Sequence, residues 1–225
     1  VHVTRDGGAT WEDVTSNVPD LPPWGTVSNI EPSQHEVGGA YMTVDLHQVG
    51  DPNPYVYKTS DYGDSWTSLS GGIPRSVFSY AHVVREDPVR PGLLYLGTEN
   101  TLYTSLDDGR TWAELQTNLP HAPIHWLEIQ NHFNDLVVAT YGRGFWIMDD
   151  VTPLQQLTPE VLASDAHLFE PRPAYRFLNR QGTQSQPSDP GAGKNPTYGA
   201  SISFFLGETS DAGVSLEILD ASGER

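Results

Sequence analysis

One pattern occurs three times in this chain and leaves few folds open to it. Thr4–Trp11 (TRDGGATW), Thr59–Trp66 (TSDYGDSW) and Ser105–Trp112 (SLDDGRTW) all read Ser/Thr-x-Asp-x-Gly-x-Thr/Ser-Trp. The aspartates Asp6, Asp61 and Asp107 are spaced by 55 and 46 residues. Self-similarity at a period of this size marks stacked supersecondary units, none of which can bury its apolar face alone. The flanks repeat as well. Two apolar runs precede each of the second and third boxes: Ala40–Val44 then Tyr55–Lys58, and Leu93–Gly97 then Thr101–Thr104. A short strand starts at each tryptophan, and a proline-bearing loop follows (NVPDLPPWG, GGIPRSV, NLPHAP). A further apolar run then begins, at Thr26–Ile30, Tyr80–Val84 and Ile124–Ile129.

Four short strands per period of about 50 residues predict the blades of a β-propeller. A fourth, degenerate unit places Leu136–Thr140 and Phe145–Met148 at the second and third strand positions and reads Asp149-Asp150 where its box would stand. The expected fold is all-β: about three four-stranded blades over residues 1–157, an extended strap and loop over 158–198, and the first hairpin of a β-sandwich over 199–225. That hairpin pairs Ser201–Leu206 with Val214–Leu219. In each box the aspartate is expected to accept N–H groups of its own turn, with Gly8, Gly63 and Gly109 at positive φ. Trp11, Trp66 and Trp112 are expected to pack between neighbouring hairpins. The boxes are thus structural, because a residue repeated in every blade is no unique catalyst.

Composition narrows the function. The 225 residues carry 29 acidic and 12 basic side chains, a formal charge of −17, and the lysines are Lys58 and Lys194. A chain so charged has no patch to displace counterions from a nucleic acid or an anionic membrane face. No apolar run reaches the roughly 20 residues that span a bilayer. With no cysteine, disulfides, thiolate metal sites and cysteine nucleophiles are excluded. His35 in HEVGG lacks the second histidine of a zinc-protease helix, GRGFW at Gly142 is too short for a dinucleotide loop, and no Walker sequence occurs. Asp149-Asp150 reads as the cap of a degenerate turn rather than a calcium site. No metal or cofactor is expected. The chain opens on the alternating Val1-His2-Val3, and the reading is of a piece of a longer protein.

The box resembles the Asp-box, or BNR repeat, shared by sialidases, sortilin-type receptor domains and several glycoside hydrolases. The chain is similar more narrowly to large bacterial sortilin-like propeller proteins that carry a glycosyl-hydrolase label. The residues concerned are Pro54–Trp66, Val84–Glu99, Asn118–His125, Leu136–Leu157, AHLFEPRPAYR and NPTYGASISFFL. The resemblance implies the last blades of a propeller followed by a carboxy-terminal β-sandwich. SLEILDASGER is similar to the opening of immunoglobulin-like modules of exported bacterial proteins, which implies a secreted, periplasmic or cell-surface location. Two departures stand out. The family pattern has aspartate after PIH, where this chain has Trp126, and histidine before GRG, where it has Tyr141.

Meander geometry places candidates without an alignment. The boxes join the third strand of a blade to the fourth. The second-to-third turns and the blade-to-blade loops lie on the opposite face, which collects Trp24, Asp45, His47, Asp51, Arg75, Glu99, His121, His125, Tyr141 and Arg143. Trp24 or Tyr141 would stack on a pyranose ring, and His47, Arg75, His121, His125 and Arg143 would bind polar groups. A glycosidase needs two carboxyl groups facing one bond, and Asp45 with Glu99 is the pair nominated. The leading expectation is a non-catalytic segment binding a carbohydrate or protein ligand, its other partner being the remaining blades of the same full-length chain. The rival is part of a glycoside hydrolase completed by other blades. A third reading makes Asp45, Glu99 and Arg143 ion pairs that hold blades together.

Overall fold

The computed structural model describes residues 1–175, 199–208, 213–220 and 222–224. Its chain runs as short antiparallel strands, each sheet built from consecutive strands. β1 (His2–Val3) pairs with β2 (Glu12–Asp13) across the first box. A four-stranded sheet follows: β3 (Thr26–Pro32), β4 (Ala40–Leu46), β5 (Asp51–Thr59) and β6 (Thr67–Ser68). The next comprises β7 (Ala81–Glu86), β8 (Leu94–Thr98), β9 (Leu102–Ser105) and β10 (Ala113–Glu114). The last blade-like sheet has three strands, β11 (Ile124–Gln130), β12 (Asp135–Thr140) and β13 (Phe145–Met148). The molecule is therefore all-β with the sheets of a partial propeller. Among the described residues its blade-like sheets are two of four strands, flanked by a hairpin and by a three-stranded sheet.

Each core lies between consecutive sheets. Met42, Val44, Leu46, Tyr57 and Trp66 pack toward the first hairpin with Val18. Tyr41 and Val56 meet Ala81, Val84, Leu94 and Leu96 between the two four-stranded sheets. Val83, Tyr95 and Leu102 meet Ile124, Leu127, Leu136 and Val138 beyond them. Strand alternation explains this sharing: Leu94 and Leu96 face one neighbour while Leu93 and Tyr95 face the other. The middle strands are consequently apolar on both faces.

The three boxes have the same local bonding. Asp6 Oδ1 accepts the Thr10 N–H at 2.8 Å and its Oδ2 the Thr10 hydroxyl at 2.7 Å. Asp61 binds Ser65 at 2.9 and 2.6 Å, and Asp107 binds Thr111 at 2.9 and 2.8 Å. Gly8, Gly63 and Gly109 have φ of +94°, +86° and +79°, and the residue before each is also left-handed, as in a type I′ turn. Two of the box glycines also touch the preceding unit: a Cβ would come within 2.8 Å of Val14 at Gly63 and within 2.6 Å of Leu69 at Gly109. Trp112 Nε1 donates to the Leu69 carbonyl at 2.9 Å. Trp66 is 8% exposed, whereas Trp11 is 62% exposed.

Beyond Met148 the structure departs from the expected strap and hairpin. The fourth-strand position holds α1 (Thr152–Gln156), and α2 (Pro159–Leu162) follows. Proline at the start of each suits a helical first turn, and Thr158 caps α2 by accepting the Val161 N–H. β14 (Ala166–Leu168) pairs with β15 (Phe204–Leu206). Phe204–Leu206 thus satisfies its ladder on β14 instead of on Val214–Leu219, which has no strand assignment. Residues 176–198 of the expected strap and loop lie outside the described residues, as do 209–212 between the two expected hairpin strands. Asp149-Asp150 closes the third sheet: the Asp150 N–H donates to Asp135 Oδ1 at 2.9 Å, and Arg172 bridges Asp135 at 2.7 Å and Asp150 at 3.7 Å. No described helix is long and apolar enough to cross a membrane.

Candidate functional site

The innermost strands of the three sheets share one irregularity. The pairing of β3 with β4 skips Ser28, that of β7 with β8 skips His82, and that of β11 with β12 skips His125. A bulge leaves one residue unpaired and re-aims its side chain. In consecutive inner strands the re-aimed residues are thus a serine and two histidines. On the same face, β4, β8 and β12 end at Leu46, Thr98 and Thr140, so the turns after them bring His47, Glu99 and Tyr141 alongside.

These elements assemble a train of rings across three sheets. His47 stacks on Tyr80 at 4.5 Å, Tyr80 meets His82 edge-on at 5.3 Å, and His82 stacks on His125 at 4.3 Å. His125 continues to Tyr141 at 5.6 Å. Carboxylates buttress the train. Asp45 Oδ2 lies 2.6 Å from His47 Nδ1, and Asp45 Oδ1 accepts the His47 N–H at 2.8 Å. Glu99 Oε2 lies 2.9 Å from His82 Nε2, with the His82 side chain 12% and the Glu99 side chain 22% exposed. The Glu99 N–H donates to the Tyr80 carbonyl at 3.1 Å.

Burial sets the electrostatics. It pushes the Tyr80 phenol up to about 12, helped by hydrogen bonding to Glu99, so the hydroxyl stays protonated. Burial, reinforced by the neighbouring His82, pushes the His125 imidazole below its usual value against the pull of Glu99 and Asp45. His82, Glu99 and His125 hold their ligating atoms within 4.8 Å of one another, a cluster that the expectation of no metal did not foresee.

Of the residues nominated from sequence, Asp45, His47, Glu99, His125 and Tyr141 come together here. His121 stands beside them, its Nδ1 3.2 Å from the Asn100 carbonyl. Arg75 is exposed, and Asp51 is engaged by Asn53 and the Tyr55 hydroxyl. Trp24 is 85% exposed, and no ring contact among the described residues joins it to the train. Arg143 is exposed, with its carbonyl accepting from Trp146 Nε1. Ion pairs between blades fall elsewhere, to Arg5 with Asp64 at 2.7 Å, to Lys58 with Asp108 at 2.8 Å, and to Arg85. Its Nη1 meets Glu31 Oε2 at 2.9 Å, its Nε donates to the Leu127 carbonyl, and its guanidinium lies 4.3 Å over Trp126. His82 and Tyr80 are not legible as site residues in the sequence, because both lie in the apolar run Tyr80–Val84. Setting the runs TVSNI, YAHVV and PIHWL under one another puts Ser28, His82 and His125 in one column, but their distances from the preceding box tryptophans, 17, 16 and 13 residues, conceal that register.

No protein-family model and no curated protein matches the sequence. Among solved structures, the GH74 xyloglucanase from Xanthomonas campestris is similar at 23% identity and a TM-score of 0.50, over 67% of this chain and 24% of that one. The GH74 enzyme from Niastella koreensis is similar at 13% identity and TM-score 0.44, over 55% of this chain and 21% of that one. YCF48 bound to D1 peptide is similar at 18% identity and TM-score 0.44, over 67% of this chain and 45% of that one. This chain therefore spans about a quarter of the xyloglucanase's length, 24%. At that identity the likeness is one of fold, and the fold it shows is the β-propeller.

Proposed function

We propose that this chain is a carbohydrate-binding, non-catalytic segment of an exported Asp-box propeller protein of the sortilin-like bacterial group, with the rest of the propeller supplied by the same full-length chain. One observation carries the reading: the ring train running from His47 to Tyr141 with carboxylates along it. Tyr141 is 74% exposed and offers a flat apolar face to a pyranose ring. Asp45 and Glu99 accept hydrogen bonds, as sugar hydroxyls require. Each is already tied to a histidine, Asp45 at 2.6 Å and Glu99 at 2.9 Å. That favours positioning and binding over a free acid–base pair.

A second reading, part of a glycoside hydrolase, draws on Asp45 and Glu99 both standing along the ring train, on His47 and on His82. A glycan array and a panel of chromogenic glycosides separate the two. Binding without hydrolysis is expected. Tyr141→Ala should weaken the binding about tenfold, the loss of one stacking contact of about 1.4 kcal/mol. Hydrolysis abolished by the Asp45→Asn, Glu99→Gln double variant would establish the enzyme instead. Failure to bind any glycan would leave a protein ligand for this face.

A further inference from the structure

We propose that His82, Glu99 and His125 form a binding site for a divalent transition-metal ion, zinc foremost, held between the second four-stranded sheet and the three-stranded sheet. The proposal is independent of any sugar binding on this face. It starts from backbone: His82 and His125 occupy the bulges of two consecutive inner strands, and Glu99 begins the β8–β9 turn beside them. Strands packed through a shared core hold the donors more rigidly than loops would. Val83 and Ile124, the strand neighbours of the two histidines, lie in one buried cluster.

The donor set and its spacing fit the ion. Two imidazoles and one carboxylate are the ligands of an open zinc site, with a fourth position left for water or another oxygen ligand. Ligands about 2.0–2.1 Å from a tetrahedral ion stand roughly 3.3 Å apart. Here His82 Nε2 and Glu99 Oε2 are 2.9 Å apart, and all three donor atoms lie within 4.8 Å. Small side-chain rotations suffice to centre an ion, which would replace the His82–Glu99 hydrogen bond. The Tyr80 carbonyl, which accepts the Glu99 N–H at 3.1 Å, fixes the turn that carries the ligating carboxylate. His125 is on the exposed side of the cluster, so the fourth position faces solvent next to Tyr141.

The stacked His82–His125 pair gives the arrangement its point. The two rings lie 4.3 Å apart, so one ion can take a lone pair from each. The carboxylate of Glu99 offsets part of the ion's charge.

The test uses metal-stripped full chain with no sugar present. Titration with Zn²⁺ by calorimetry, and with Co²⁺ followed by visible absorption, should give one ion per chain and the intense d–d bands of a four-coordinate site. His82→Ala, His125→Ala and Glu99→Gln should each weaken Zn²⁺ at least about tenfold, with His132→Ala, an exposed histidine outside the cluster, leaving the affinity unchanged. A Zn²⁺-dependent rise in melting temperature should appear in the wild-type chain and vanish in Glu99→Gln. Circular dichroism without metal verifies that each variant is folded. Binding that is unaltered in all three folded variants, or that follows His132 instead, overturns the proposal, as does no binding at millimolar Zn²⁺.

Discussion

At the scale of single residues, the box aspartates are the best-defined groups in the molecule. The Thr10 N–H and hydroxyl hold Asp6 at about 2, below its ordinary 3.8. The Ser65 hydroxyl and N–H hold Asp61 at about 2 as well. Burial raises Asp107, but bonds from Thr111 and Ser105 outweigh it and leave that carboxyl also lowered. A carboxyl lowered by folding stabilises the fold above its unfolded pKa, and the contribution disappears as pH falls through its folded one. Stability should therefore decline between about pH 4 and about pH 2 as Asp6 and Asp61 protonate. Urea midpoints across that range check this. Asp61→Asn should lower the midpoint at neutral pH and flatten the acid decline, because the amide has no charge to lose.

At the scale of elements, the inner strands are tied to one another by a buried cation and a missing side chain. Arg85 on β7 reaches Glu31 on β3 and the Leu127 carbonyl on β11, with its side chain 9% and that of Glu31 14% exposed. Removing one partner of a buried pair strands the other charge. Arg85→Ala is expected to cost about 3 kcal/mol in chemical denaturation. Gly97 on β8 faces β11 so closely that a Cβ would stand 2.6 Å from Ile124 Cγ2 and 2.8 Å from its carbonyl oxygen. Gly97→Ala should destabilise by about 1 to 3 kcal/mol and separate β11 from β8. A companion Ile124→Val, which keeps both the Cγ2 atom and the carbonyl oxygen, should not recover that loss.

At the scale of the whole molecule, stacked sheets leave their outermost surfaces uncovered in the isolated chain. Trp11 is 62%, Phe145 78% and Ile147 60% exposed. β13 is the last strand of its sheet, so one of its ladders lacks a partner among the described strands. Unpaired edges carrying apolar side chains promote pairing between copies. Sedimentation velocity on the isolated chain should show concentration-dependent self-association, and the Phe145→Lys, Ile147→Lys double variant should reduce it. A monodisperse monomer at all concentrations would refute this. The charge of −17 works against association, so added salt should strengthen it.

The sheet succession was legible because the bonds that define each box close within eight residues, as Thr4, Asp6, Gly8 and Thr10 illustrate. Local bonds repeat wherever the letters repeat, and their period sets the order of the strands. The short helices after Val151 were harder to see, since each is only a turn or so long and has no apolar period. The sequence also placed Asp45, Glu99 and His125 on one face by topology alone. It did not reveal that His82 turns out of its strand beside them. His82 is 17 residues from Glu99 and 43 from His125, and the contact depends on two bulges and on how one sheet packs against the next. The sequence by itself determined the repeating turns and hence the β-sheet architecture, because those rest on local hydrogen bonds. Only the tertiary structure decided which side chains share a site, because that rests on register and packing between sheets.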